Sequence, residues 1–394
     1  MRTYGRRSGW RGVLLGMVGT ALAGLLTPSV QAAEAPLAPP LFKARAVELI
    51  AARSGRILFS SHADQPQAMA SVTKLMTLYL AVKALERHQI GLDSLVPVTE
   101  QAYRIGGSQI WLEPGERLTV DQMLKAIAVG SANDAAYALG EYLAGSSPAF
   151  VADMNRTALK LGMRHTHFSN PHGLNAPEHY TTAHDLGILA ERAVRSPILL
   201  HYTSMWQDRS LRNGKGGNLW LINHNRLLRQ YAGCDGLKTG YTRQAGFCIV
   251  ATALRGGTRM IAVVMGAPSA AARNAAASNL MTWGFQHFRT VAYARRAQIV
   301  ARVKVTHGAR GWVDAVTPHS AFVTVGSGEA DSLRIVRHIA RDRRAPVQAG
   351  QRLGEVTVSV SGRVFATTPV VSASTVRAVG MPELIWRYWA RVAG

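Results

Sequence analysis

At 394 residues the chain is longer than one typical domain, which predicts two. Apolar residues make up 47% and charged residues 17%, which excludes a disordered chain and provides for sizeable cores. A formal net charge of +22 points to anionic partners.

Residues 1–32 read as an export signal. Arg2, Arg6, Arg7 and Arg11 precede an apolar stretch from Val13 to Leu26, Pro28 breaks it, and Val30-Gln-Ala32 closes it with small residues. The stretch is shorter than the about 20 residues of a membrane span. Arg6-Arg7 lacks the hydrophobic residue that twin-arginine export places after it, which leaves the general secretory route. Removing this segment takes four arginines and no acids, so +22 becomes +18. An exported chain meets little nucleic acid, so wall polymers or lipid headgroups fit the charge better.

Residues 33–42 form a proline-rich lead-in. Ala46–Ala52 and Arg56–Ser60 read as a hairpin about Ser54-Gly55. A helix is expected from about Ser71 to His88, burying Leu75, Leu78, Val82 and Leu85. Val120–Val129, with Thr119 or Asp121 near its start, is a second helix that delivers Ser131-Ala-Asn133 at its C-terminal end. Helices follow over Asp134–Leu143 and Ala149–Leu161, the latter closed by Gly162. Gly246–Leu254 and Thr258–Gly266 read as strands joined by Arg255-Gly-Gly257, and Ala270–Phe288 as a helix.

After about Thr290 helical periodicity stops. Short runs at Val300–Val305, Phe322–Val325, Leu333–Ile339, Val356–Val360 and Val364–Val371 predict a small β-sandwich that serves as spacer or binding module. In 381–394, Leu384, Ile385, Tyr388, Trp389 and Val392 share one helical arc opposite Arg387 and Arg391. That pattern suits a helix lying in a membrane interface; the alternative is a helix docked on its own domain.

Three strings carry chemistry: Ser71-Val-Thr-Lys74, Ser131-Ala-Asn133 and Lys238-Thr-Gly240. Together they form the S-x-x-K, S-x-N and K-T-G set of penicillin-binding proteins and class A β-lactamases. Ser71 and Lys74 fall on one helix face, an amine within reach of a hydroxyl. Burial and the charge of Lys238 would lower the Lys74 pKa and free its lone pair. Ser131 can relay a proton, and Asn133 can hold a peptide backbone. Lys238 supplies positive charge to a substrate carboxylate and Thr239 a hydroxyl, while Gly240 admits substrate close to the strand. The N–H groups of Ser71 and Tyr241 are the expected oxyanion hole. His165, His167, His172, His179 and His184 fall within 20 residues but without the H-E-x-x-H spacing of a zinc peptidase, so they read as cap and loop residues. Cys234 and Cys248 flank the K-T-G strand and the next one, and spacing alone leaves their bridging open.

The chain resembles the low-molecular-mass penicillin-binding proteins, serine-type D-alanyl-D-alanine carboxypeptidases. The resemblance extends to Ala70–Thr77, Gly130–Ala135, Leu161-Gly-Met163, Thr166–Leu174, Tyr180-Thr-Thr182, Asn223-His-Asn225 and Asp235–Thr242. It implies an α+β fold: a transpeptidase-like catalytic domain over 44–288, with an antiparallel sheet, flanking helices and an all-helical lobe, then a β-sandwich over 291–378 and the terminal helix over 381–394. It implies Ser71 as nucleophile, Lys74 as base, Ser131 as relay, and Asn133, Lys238, Thr239, Gly240 and Tyr241 as substrate-binding residues. It implies no metal and no cofactor. Peptidoglycan stem peptides are the expected substrate and β-lactams the expected inhibitors, at the outer face of the cytoplasmic membrane. Tyr241 stands where some members carry histidine, and His224 where some carry arginine. Three rival functions are a D,D-endopeptidase of this fold, a serine β-lactamase and a non-catalytic wall-binding protein. No E-x-x-x-N follows Ser131 to supply the deacylating glutamate of a class A β-lactamase.

Overall fold

The computed structural model describes residues 42–212, 216–360 and 362–380, together with Pro382, Glu383, Ile385, Trp386 and Trp389. The expected export signal lies outside the described residues, as do Leu384, Arg387, Tyr388, Arg391 and Val392 of the expected terminal helix.

A five-stranded antiparallel sheet runs in the order Arg56–Ser61, Ala46–Ala51, Thr258–Ala267, Gly246–Arg255, Cys234–Thr242. Its central strands are apolar without alternation because both faces are covered. Met260, Ala262 and Val264 pack with Ala276, Leu280 and Met281 of the Ala270–His287 helix. Ile261, Val263 and Met265 join the larger core that includes Leu75, Leu124 and Leu139 of the helical lobe. The Cys234–Thr242 strand is an edge, and its outer side stays open to a cleft.

Local signals place the lobe's helices. Thr119 caps Val120–Ala128 reciprocally: its hydroxyl accepts the Gln122 N–H and Gln122 Oε1 accepts the Thr119 N–H. Gly162 ends Ser147–Leu161 in a left-handed conformation. The helices Ala183–Ala193 and Pro197–Ser204, capped by Thr182 and Ser196, were not anticipated.

Beyond the Ala270–His287 helix the chain is β-rich. A six-stranded sheet holds Ile299–Thr306, Trp312–Val316, Leu333–Ile339, Asp342–Arg344, Arg352–Val360 and Arg363–Ser372. A two-stranded sheet pairs Phe288–Ala294 with Ala321–Gly326. Val323 and Val325 of the second sheet pack on Val358 and Val360 of the first. The strands Phe288–Ala294 and Trp312–Val316 were not foreseen. This region meets the catalytic sheet at its first hairpin, where Ser54 Oγ lies 2.6 Å from Thr324 Oγ1 and Arg56 donates to the Thr324 carbonyl at 2.7 Å.

The cysteines are free. Cys234 sits opposite Ala253 and Cys248 opposite Gly240, which separates them by five residues of strand, about 17 Å. A disulfide needs Cα atoms within about 7 Å.

Candidate active site

Ser71 is not the first residue of a long α-helix. Ala70–Thr73 form a 3-10 turn, and the α-helix starts at Lys74 and ends at Glu86. The change sharpens the geometry, because residues three apart eclipse in a 3-10 turn. Lys74 Nζ lies 3.0 Å from Ser71 Oγ. Around the turn, the Ser169 N–H donates to His179 Nδ1, so His179 Nε2 carries its proton toward Thr73 Oγ1 at 2.8 Å. Thr73 in turn donates to the Ala70 carbonyl at 2.8 Å. Gly173 crosses this carbonyl so closely that a Cβ there would meet it at 2.0 Å.

Lys74 is fully buried and contacts three acceptors: Ser71 Oγ, Asn133 Oδ1 at 2.6 Å and the His172 carbonyl at 2.6 Å. Burial, then the charge of Lys238, holds it well below the ordinary lysine value, with Asp134 acting in the opposite direction. A neutral amine has two N–H groups and one lone pair. In that form the two carbonyl oxygens would take both N–H groups and leave the lone pair for Ser71.

Asn133, expected to hold substrate, is also engaged within the protein. Its Oδ1 accepts from Lys74 and its Nδ2 donates to the Gly106 carbonyl at 2.8 Å, so the amide orients the amine before any peptide arrives. Ser131 is buried at the cleft wall with φ of 58°, a conformation rarely adopted by serine. Among the described residues no hydrogen bond joins it to Lys74; contacts of this kind tighten when substrate binds.

The Lys238-Thr-Gly240 strand lies against the serine turn. A Cβ at position 240 would stand 2.9 Å from the Ser71 and Val72 nitrogens, so only glycine admits this approach. Thr239, Gly240 and Tyr241 line a cleft of about 950 Å³ with Ser71 and Ser131. The Tyr241 ring is 57% exposed and stacks on Phe247 at 4.2 Å, so its contribution to the cleft floor is backbone. Lys238 is buried, donating to the Thr239 carbonyl at 2.9 Å.

Arg273 was missed. It extends from the start of the Ala270–His287 helix, is 5% exposed, lines the cleft, and among the described residues donates to Asn274 Oδ1. Burial lowers it to about 10, so it stays charged at neutral pH. Burial and the Arg273 charge together pull Lys238 down to about 7. The pocket is therefore electropositive without a carboxylate partner among the described residues. A basic residue near a helix's start opposes the dipole, which is the signal the sequence held.

The five clustered histidines have protein partners or loop positions. His172 Nδ1 accepts the Leu174 N–H at 3.2 Å, and burial holds His172 at about 3 and His179 at about 4. His184 Nδ1 lies 3.1 Å from Glu48 and His167 Nδ1 lies 2.7 Å from the Glu178 carbonyl. His165 receives its backbone support from Asp185, 2.8 Å away. Among the described residues no group of three or more histidine, cysteine or acidic side chains is placed to hold a metal.

Residues 31–269 match the family model described as D-alanyl-D-alanine carboxypeptidase, and residues 288–378 that of the penicillin-binding protein 5 C-terminal domain. The chain is 37% identical over 347 residues to the D-alanyl-D-alanine carboxypeptidase DacF of Bacillus subtilis, covering 88% of this chain and 89% of the relative. Its fold is similar to that of penicillin-binding protein 5 from Haemophilus influenzae, with TM-score 0.77, 29% identity, and coverage of 86% of this chain and 99% of that one. It is also similar to penicillin-binding protein D2 of Listeria monocytogenes in its ampicillin-bound form, with TM-score 0.56, 32% identity, and coverage of 63% of this chain and 100% of the other.

Proposed function

The chain belongs to the D-alanyl-D-alanine carboxypeptidase family, and on that premise we propose that Ser71 is its nucleophile, with Lys74 as base and Ser131 as relay. The protein is a serine-type D,D-carboxypeptidase that binds penicillin. The observation that carries the assignment of roles is the buried Lys74 amine, 3.0 Å from Ser71 Oγ and held by two carbonyl acceptors.

The Ser71 hydroxyl proton moves to the Lys74 lone pair while Oγ bonds to the carbonyl carbon of the D-Ala-D-Ala peptide. The Ser71 and Tyr241 N–H groups donate to the oxyanion. The proton then passes from Lys74 through Ser131 to the departing nitrogen, and D-alanine leaves. Water, deprotonated by the regenerated Lys74 amine, attacks the acyl-enzyme and frees Ser71. Lys238, Thr239 and Arg273 bind the terminal carboxylate, which brings the missing negative charge into the pocket. The open edge strand lets the extended stem peptide add as a further strand. Penicillin presents the same carboxylate and carbonyl and acylates Ser71.

The substrate is the stem pentapeptide of peptidoglycan, reached after export, at the outer face of the cytoplasmic membrane. Ile385 and Trp386 are 52% and 70% exposed, which supports peripheral attachment through the terminal helix. No helix among the described residues is long and apolar enough to cross a membrane. Deleting 381–394 should abolish sedimentation with anionic liposomes, and a truncated form that still sediments would place the helix on the protein.

The test of function is to incubate purified protein with a pentapeptide and with cross-linked muropeptide and to weigh the products. Loss of one alanine from the former is expected, with Ser71→Ala inert. Predominant cleavage of the latter would favour the endopeptidase, and rapid penicillin hydrolysis the β-lactamase.

A further inference from the structure

A second cavity, of about 800 Å³, adjoins the catalytic cleft and shares His224, Arg226 and Gln230 with it. Three tryptophans line it: Trp111, Trp206 and Trp220. Two of them are displayed to solvent at a cost that packing does not require. Trp111 is 64% exposed and holds φ of 56°, an outlier for a bulky residue. The conformation is enforced from below. The buried Asp134 carboxylate accepts the Ile110 N–H at 3.1 Å and the Leu112 N–H at 3.2 Å, and both flanking side chains are fully buried. The indole between them is thereby turned outward.

Trp220 is 59% exposed and rides on the short Leu221–Ile222 strand, paired with Gln207–Asp208. Its Nε1–H donates to Gln207 Oε1 at 3.2 Å, and the Arg209 guanidinium, outside the cavity lining, stacks on the ring at 4.1 Å. Both contacts fix the indole plane. Between the two cavities, Asn223 and Asn225 are buried and bonded to the Met205 and Gly236 carbonyls, which fixes His224 at the junction. This gives the Asn223-His-Asn225 string a role that the acyl transfer steps do not use.

Flat aromatic faces with Arg226, Arg229 and Gln230 at their margins match one ligand chemistry closely. A pyranose ring offers a face of apolar C–H groups and an edge of hydroxyl and amide groups, so it stacks on indole while its rim hydrogen-bonds. A lipid chain would leave those polar side chains unpaired.

We propose that this cavity is a saccharide subsite that binds the amino-sugar strand to which the stem peptide is attached. The inference rests on the peptidoglycan reading above and extends it: the enzyme grips the glycan beside the cleft that cuts the peptide.

The experiment uses the full chain and a soluble β-1,4-linked N-acetylglucosamine tetrasaccharide. Wild type and Ser71→Ala should bind it with a change in tryptophan fluorescence, and Trp111→Ala and Trp220→Ala should each weaken binding about tenfold. The same two variants should release D-alanine from a sugar-free pentapeptide at the wild-type rate, yet lose several-fold in kcat/KM on a glycan-linked pentapeptide. Unchanged fluorescence in the wild type at millimolar saccharide would overturn the proposal. So would an equal loss on sugar-free and glycan-linked peptides, because the cavity would then hold peptide. Saccharide binding needs no turnover. A wild type that binds the sugar but leaves the pentapeptide intact therefore supports the subsite while refuting the catalytic reading.

Discussion

Two buried lysines belong to the three motifs, Lys74 and Lys238, and their surroundings differ in one respect. Lys74 is enclosed by acceptors: a hydroxyl, a side-chain carbonyl and a backbone carbonyl. Among the described residues Lys238 donates to one carbonyl, and the Arg273 guanidinium is the charge that acts on it. Burial lowers both. In the first pocket every N–H of a neutral amine is satisfied, so the site is complete before substrate arrives. In the second no carboxylate among the described residues pairs with the positive charge, which fits the proposed binding of a substrate carboxylate. In the proposed mechanism Lys74 acts as a neutral amine and Lys238 as a cation.

The largest effect should follow from removing the first. Lys74→Ala leaves Ser71 without a base, and acylation by a fluorescent penicillin should fall by about 10²–10⁴-fold. Wild-type labelling rates in this variant would end the assignment. Asn133→Asp tests the enclosure more finely. A carboxylate in place of the amide oxygen 2.6 Å from Nζ stabilises the ammonium and raises the Lys74 pKa. Acylation at pH 7 should drop about 10–100-fold and recover as pH rises. A substrate-binding role alone would give a loss that no pH restores.

How much of this contrast was legible in the sequence depends on whether a residue sits in a local pattern. Ser71, Lys74, Ser131 and Lys238 lie in short strings whose spacing states their chemistry, and the direction of the Lys74 shift followed from expecting burial beside Lys238. The acceptors that complete the Lys74 pocket were not legible. One is the backbone carbonyl of His172, 98 residues away, and backbone atoms leave no mark in composition. The string marks Asn133 as a site residue but does not show that its amide oxygen also faces Lys74. Arg273 sits in an alanine-rich helix with no motif around it, and its one mark, a basic residue near the helix start, is weak. The hairpin and the Gly246–Arg255 and Thr258–Ala267 strands were readable because their turns carry glycine pairs or Ser-Gly. Trp312–Val316 begins with an exposed tryptophan and contains an aspartate, a weak β signal that pairing supports instead.

Intermediate effects should come from the second pocket. Arg273→Gln removes the permanent cation facing the carboxylate. A hydrogen bond to a charged group is worth about 1.5–3 kcal/mol, or roughly 10–100-fold in kcat/KM for a free-acid peptide. A C-terminally amidated peptide lacks that charge and should be affected far less. Equal losses on the two would move Arg273 out of carboxylate recognition and into support of the helix.

The smallest effect, and the sharpest discrimination between the two lysines, lies in the wild-type pH profile. Lys238 sits at about 7, so in the free enzyme it loses its charge as pH rises from 6 to 8. Recognition of a carboxylate weakens over that interval, and KM for the free-acid peptide should rise by at most about tenfold per unit above the break. Arg273 retains its charge throughout, which keeps the change below that limit. The amidated peptide should show no rise in KM. Lys74 acts in the opposite sense, since a higher pH populates its neutral form and favours acylation. In Arg273→Gln the neighbouring cation that depresses Lys238 is gone, so the KM break should move to higher pH. A break that stays in place in that variant, or that appears equally with the amidated peptide, would mean that a group other than Lys238 titrates. The carboxylate pocket would then be charged before substrate enters, and the contrast between the two lysines would fail.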